Sequence, residues 1–294
     1  MSSAGSKSTA TFRRPSYLGV FLTFARNSLV RDMTFRGNFL IECVTSVTWM
    51  AMNLGFYLII FKYTRQIAGW DQYEFFAFLS TTMIVNSLVQ SFFMPNCEEV
   101  SELIRTGGLD FALLKPIDTQ FLISLRKIEW AGLSNFAAGV ILLSVSLWQM
   151  AARSDTPLIL SPQSLVLYGV YVLCGVAIMY SVMISLAATS IWLGQNRSLY
   201  DFWFYITNFS RYPMEIYEGP WGRPLRMIFT FVLPILLVVN VPARIIAWPF
   251  GDDAQQSTLT WYLAAVTLLA TTLSLLASRW LFTRALRGYR SASS

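Results

Sequence analysis

The sequence predicts an all-α polytopic membrane protein with six transmembrane helices, and three observations predict it. The 294 residues are 55% hydrophobic and only 13% charged, against roughly 45–50% and about 25% in soluble domains. Six stretches reach the roughly 20 apolar residues that a helix needs to cross a hydrocarbon core about 30 Å thick. Lys and Arg also gather on alternate connections, as short cytoplasmic loops do. Composition excludes function classes as well. Histidine is absent, which removes the commonest general base and metal ligand. Cys43, Cys97 and Cys174 are too few and scattered for a disulfide framework or zinc site and read as small apolar side chains.

The chain divides into a cytoplasmic tail and interfacial helix over residues 1–37 and a single transmembrane domain over 38–294. The Ser-, Lys- and Arg-bearing start has no short apolar core or cleavage site before Asn38, so it does not read as a cleaved signal peptide. Ser16 can cap a helix with Leu18, Phe21, Leu22, Ala25 and Leu29 at helical spacing and Arg26 and Arg31 off that stripe. Such a helix either lies in the cytoplasmic interface with its arginines near lipid phosphates, or packs on its own protein.

Five clean spans follow at 38–61, 75–94, 130–151, 165–193 and 259–282. A sixth, 227–248, carries Pro234, Pro242 and Arg244 and should be broken or kinked. With both termini inside, only Lys62, Arg65, Arg153 and Arg244 of the 22 basic residues fall outside. The net charge of +6 therefore describes membrane orientation and not nucleic-acid binding.

The loop at 95–128 holds the clearest local signals. Pro95 stops a span, Asn96 can cap a new helix, Glu99 stands at the capping-box position, and Glu98, Glu99 and Glu102 favour the positive helix end. Gly107 and Gly108 supply a left-handed termination. The result is a helix of about ten residues, with Val100, Leu103 and Ile104 on one face and Arg105 in its last turn, followed by Asp110 in LDFALLKP. That apolar face can dock a partner or fold back on the protein's own rim.

Ionisable groups at membrane depth are functional candidates because each costs several kcal/mol without a partner or water. Glu42 lies one turn into the first span, within reach of Arg36, Arg126 or Lys127, and reads as an anchor or as a gating group. Asn53, Asn86, Gln90 and Asn135 are uncharged groups that either join helices by hydrogen bonds or face a pathway. The aromatic side chains mostly flank spans, as interface belts require. Scarce charge at this depth favours a lipophilic or amphipathic cargo over an inorganic ion.

These pieces, with EEVSELIRTGGLDFALLKPI between the second and third spans and the late block RYPMEIYEGPWGRPLRMIFTFVLPILLVVNVPAR, resemble the permeases of type-2 ATP-binding-cassette exporters. IRTGGLDFALLKP and FVLPILLVVNVPA look like the small bacterial subgroup whose ATPase is a separate chain. The resemblance implies a dimer of identical or related permeases in a bacterial inner membrane. Each copy would bind an ATPase through the helix at 98–106, with ATP and Mg²⁺ in that partner and no cofactor here. It also offers a different fifth span, 195–213, with outer re-entrant helices over 214–248; Arg197, Asp201 and Arg211 would then need to face protein, water or the span ends. No GxxxxGK[ST] phosphate loop is present, and AGSKST lacks its glycine context. Two competing readings are a membrane scaffold or immunity protein, and a lipid-modifying enzyme for which Glu42 and Asp201 are the only weak acid–base candidates.

Overall fold

The computed structural model describes residues 16–34, 36–153, 161–193, 204–206, 208–248 and 254–289. Lys7, Arg13, Arg14, Arg197, Asp201 and Arg290 lie outside the described residues, as does most of the alternative span 195–213. The helices are α1 (Tyr17–Thr34), α2 (Arg36–Tyr63), α3 (Gln72–Phe92), α4 (Met94–Arg105), α5 (Gly108–Leu113), α6 (Thr119–Ser124), α7 (Leu133–Ala151), α8 (Pro162–Leu193), α9 (Gly222–Met227), α10 (Ile235–Ala247) and α11 (Ala254–Gly288). A two-residue-stranded hairpin, β1 (Gln66–Ile67) and β2 (Trp70–Asp71), joins α2 to α3.

Five helical stretches are long and apolar enough to cross a membrane: Arg36–Tyr63, Gln72–Arg105, Trp130–Ala151, Pro162–Trp192 and Thr258–Gly288. The protein is an all-α, multi-pass membrane protein. The sixth apolar run is broken, as its prolines require. Gly222–Val232 and Ile235–Ala247 meet at 87°. Leu233 is extended at φ −115°, ψ 90°, because the Pro234 ring excludes a helical conformation from the residue before it.

The core forms around the second limb of that bend. All 13 residues of α10 are buried, and the helix packs against α8, α3 and α11. Gly175 of α8 makes this approach possible, since a Cβ there would lie 2.6 Å from the Val238 carbonyl oxygen. Around it, Phe75, Phe78 and Val85 of α3 join Val172, Ile178 and Met179 of α8 and Val238, Val239 and Ala243 of α10 in one cluster.

α1 packs on the protein along one side only. Its protein-facing side holds Phe21, Ala25, Ser28 and Asp32, while Leu18, Leu22 and Leu29 are exposed. Polar Ser28 and Asp32 face inward because they have specific backbone partners across the chain, at Ile128 and Trp130. The helix thus packs on its own protein along one side and keeps an apolar stripe on the other.

Candidate functional site

The end of the molecule built from α4, α5 and α6 is organised from its backbone upward. Only Phe93 separates α3 from α4, and Pro95 sits in the first turn of α4, where a missing N–H costs little. The helix covers 12 residues. Asn96 does not cap it and Glu99 does not close a capping box. The first N–H groups are already bonded to backbone: Asn96 and Cys97 donate to the Phe93 carbonyl at 3.2 and 3.0 Å. Asn96 is buried instead, donating to the carbonyls of Phe92 at 2.9 Å and Lys127 at 2.7 Å and accepting from the Lys127 N–H at 2.8 Å. Glu99 pairs with Arg126 at 3.1 Å and Lys127 at 2.7 Å. Gly107 ends the segment in the left-handed region, at φ +73°, where a side chain would be strained.

Val100, Leu103 and Ile104 turn inward, packing with Leu109, Ile123, Ala188 and Phe282. The predicted apolar stripe is therefore core, and the outward face of α4 carries Glu98, Glu102 and Arg105. Arg105 pairs with Glu102 across one helical turn. Apolar surface reappears just beyond, on α5 and its end, where Phe111 is 72% and Leu114 80% exposed. A recess of about 110 Å³ lies beside them, with Glu99, Gly108, Phe111 and Lys115 in its wall. Sequence reasoning passed over Phe111 and Leu114. Only the inward packing of Leu109 and Ala112 shows that these two point outward.

A strap over residues 125–130 braces this end. Besides the bonds to Asn96, the Glu129 N–H donates to the Ser91 carbonyl at 2.9 Å and the Ile128 N–H to the Ser28 hydroxyl at 3.1 Å. The Trp130 backbone N–H donates to Asp32 at 3.2 Å and its indole to the Ala25 carbonyl at 3.3 Å. One short segment thus bonds simultaneously to α1, α3 and α4. The neighbouring Asp118 caps α6 through the Phe121 N–H and binds Arg279 of α11. Burial pushes the Asp118 carboxyl up, but the Arg279 and Phe121 hydrogen bonds outweigh it and hold the group below the ordinary carboxylate range.

The expected pathway residues do not converge. Glu42 and Asn53 are exposed on α2, and Asn53 donates back to the Trp49 carbonyl of its own helix at 2.8 Å. Arg126 and Lys127 are not partners of Glu42, because Glu99 lies nearer and takes both. Asn86 is half-buried and Gln90 exposed, one turn apart on α3, and Asn135 is half-buried on α7. Among the described residues no group of three His, Cys, Asp or Glu side chains could hold a metal ion.

A family model described as ABC-2 family transporter protein matches residues 47–293, from within α2 to past the end of α11. The chain belongs to the ABC-2 transporter family. It is a membrane permease of that type. No curated protein and no solved structure matches it.

The opposite end of this ABC-2 permease contains a group that sequence reasoning saw only as an obstacle. Arg244 of α10 is 4% exposed and forms an ion pair with Glu215. The Trp70 indole donates to the second Glu215 oxygen at 3.2 Å, and the Arg244 guanidinium lies 5.1 Å from the Trp248 ring centre. The two indoles pack at 4.2 Å. Nearby, Asn240 accepts from the Met214 N–H at 2.8 Å. These contacts fasten the 3₁₀ segment Met214–Glu218 and the hairpin to the buried helix. An arginine in an apolar run must find a carboxylate, and Glu215 is that partner.

Proposed function

We propose that this permease is the membrane subunit of an ATP-driven exporter, powered by a separate ATPase that docks on α4 and α5. The observation that carries the reading is the combination of exposed Phe111 and Leu114 with the charged edge Glu98, Glu102 and Arg105, on a braced rim of an ABC-2 permease. A rigid platform transmits a partner's movement, whereas a loose loop absorbs it. The strap supplies that rigidity by joining α4 to α1 and α3. ATP and Mg²⁺ belong to the partner, since this sequence has no phosphate loop.

The rim then faces the cytoplasm with both termini, in a bacterial inner membrane, which agrees with Arg105, Lys115, Arg126, Lys127 and Arg279 gathering on it; Arg226, counted inside from the sequence, pairs instead with Glu218 beside Met214 at the opposite end. The exposed apolar surface of α2 is available to lipid and to a second permease. Co-reconstitution tests the reading: the ATPase that purifies with this chain should hydrolyse ATP faster in proteoliposomes containing the permease than in empty ones. Equal rates with and without the permease would point to a scaffold or immunity protein.

A further inference from the structure

A second concavity lies away from the rim's outer surface, between α6, α8 and α11, with a volume of about 490 Å³. This falls within the roughly 300–1,000 Å³ typical of small-molecule sites. Its long wall is one face of α8, with Leu173, Val176, Ala177 and Tyr180 at helical spacing, opposed by Leu275 of α11. From Leu173 to Tyr180 this wall runs about 10 Å at 1.5 Å per residue. That covers most of one leaflet's hydrocarbon depth, about 15 Å.

The end of the groove nearest the rim is polar and carries one charge of each sign. Asp118 and Arg279 line it together. Arg279 also donates to the Gln120 side-chain oxygen at 2.9 Å, and the Gln120 amide donates to the Tyr180 hydroxyl at 2.9 Å. Phe121, packed edge-on against Tyr17 at 4.9 Å, presents an aromatic ring beside these charges. A purely anionic head would meet the Asp118 carboxylate, and a purely cationic head the Arg279 guanidinium. A zwitterionic head satisfies both, with its phosphate toward Arg279 and its ammonium toward Asp118 and the Phe121 ring.

We infer that this groove binds a single-chain zwitterionic amphiphile, taken from the leaflet on the α4–α6 side, with its tail along α8 and its head between Asp118 and Arg279. The inference concerns binding and stands independently of the transport reading. The test uses the full-length chain in phosphatidylglycerol nanodiscs, without any ATPase, and photoactivatable dodecylphosphocholine and dodecyl phosphate probes with the reactive group in the tail. The zwitterionic probe should label peptides spanning 119–125 and 173–180 saturably and several-fold more strongly than the anionic one. Ala177→Trp and, from the opposite wall, Leu275→Trp should each remove that labelling. Asp118→Asn, which preserves the α6 cap, should abolish the preference between the two heads. Labelling that does not saturate and falls equally on the exposed face of α2 would reduce the groove to ordinary lipid contact and overturn the inference. So would labelling insensitive to both Trp variants, or equal for the two heads in the unmodified chain.

Discussion

α2 and α10 are both apolar helices, yet they occupy opposite environments. None of the 28 residues of α2 is buried, and all 13 of α10 are. The contrast teaches what hydropathy does and does not encode. An apolar side chain is equally satisfied by lipid, by a partner or by its own core, so apolarity alone cannot assign a helix to any of them. The discriminating residues are the polar ones. α10 carries Asn240 and Arg244, which close on the Met214 N–H and the Glu215 carboxylate. In α2, Asn53 turns back to its own helix.

The sharpest way to break the contrast is to deny α10 its seat. Gly175→Leu sets side-chain atoms against the Val238 carbonyl, and overpacking of this kind costs about 1–3 kcal/mol or more. The expected result is loss of monodisperse protein in size-exclusion chromatography, with a lowered melting temperature in whatever remains. The ion pair should show the next-largest effect. Glu215→Leu or Arg244→Leu alone leaves a buried charge without its partner, at about 3–5 kcal/mol when burial is complete and less here because Glu215 keeps some exposure. The double variant should recover much of that loss in thermal melts. If it proves no more stable than either single variant, the pairing is not what holds the hairpin end to α10.

A smaller effect separates the two ends of the molecule by pH. The folded Asp118 carboxyl sits below the ordinary value of about 3.9. Its contribution to stability is therefore complete above that pH and disappears as pH falls through the depressed folded value. Asp118→Asn should lower the melting temperature across the neutral region while leaving the most acidic values nearly unchanged, and so flatten the acid limb of the profile. Smallest of all, Val44→Ala or Ile59→Ala on exposed α2 should shift protomer stability by no more than about 0.5 kcal/mol. If these variants alter cross-linking between copies without altering the melt, that face is an interface; if they destabilise the protomer, the contrast between α2 and α10 fails.

Much of the architecture is legible in the sequence because bilayer thickness imposes a length that hydropathy can detect. The break at Pro234 is legible for an equally local reason, since a proline restricts the residue before it. The rim is legible only in part. Gly107 marks a helix end through its own left-handed backbone, whereas the role of Asn96 depends on Lys127, 31 residues away, and on α3 running almost straight into α4. Val100, Leu103 and Ile104 look like a docking stripe at helical spacing. They become core only because α5, α8 and α11 arrive beside them. The outward residues Phe111 and Leu114 are revealed by the same long-range packing.

The central claim, that α4 and α5 form the platform for a separate ATPase, is tested most directly by Phe111→Asp/Leu114→Asp in the full-length permease. Both side chains are largely exposed, so folding should be preserved, with an unchanged melting temperature and elution volume. The account predicts that the co-purifying ATPase is lost from the double variant and that its permease-dependent hydrolysis falls to the basal rate. Retention of the ATPase at full stoichiometry, with undiminished stimulation, would contradict it.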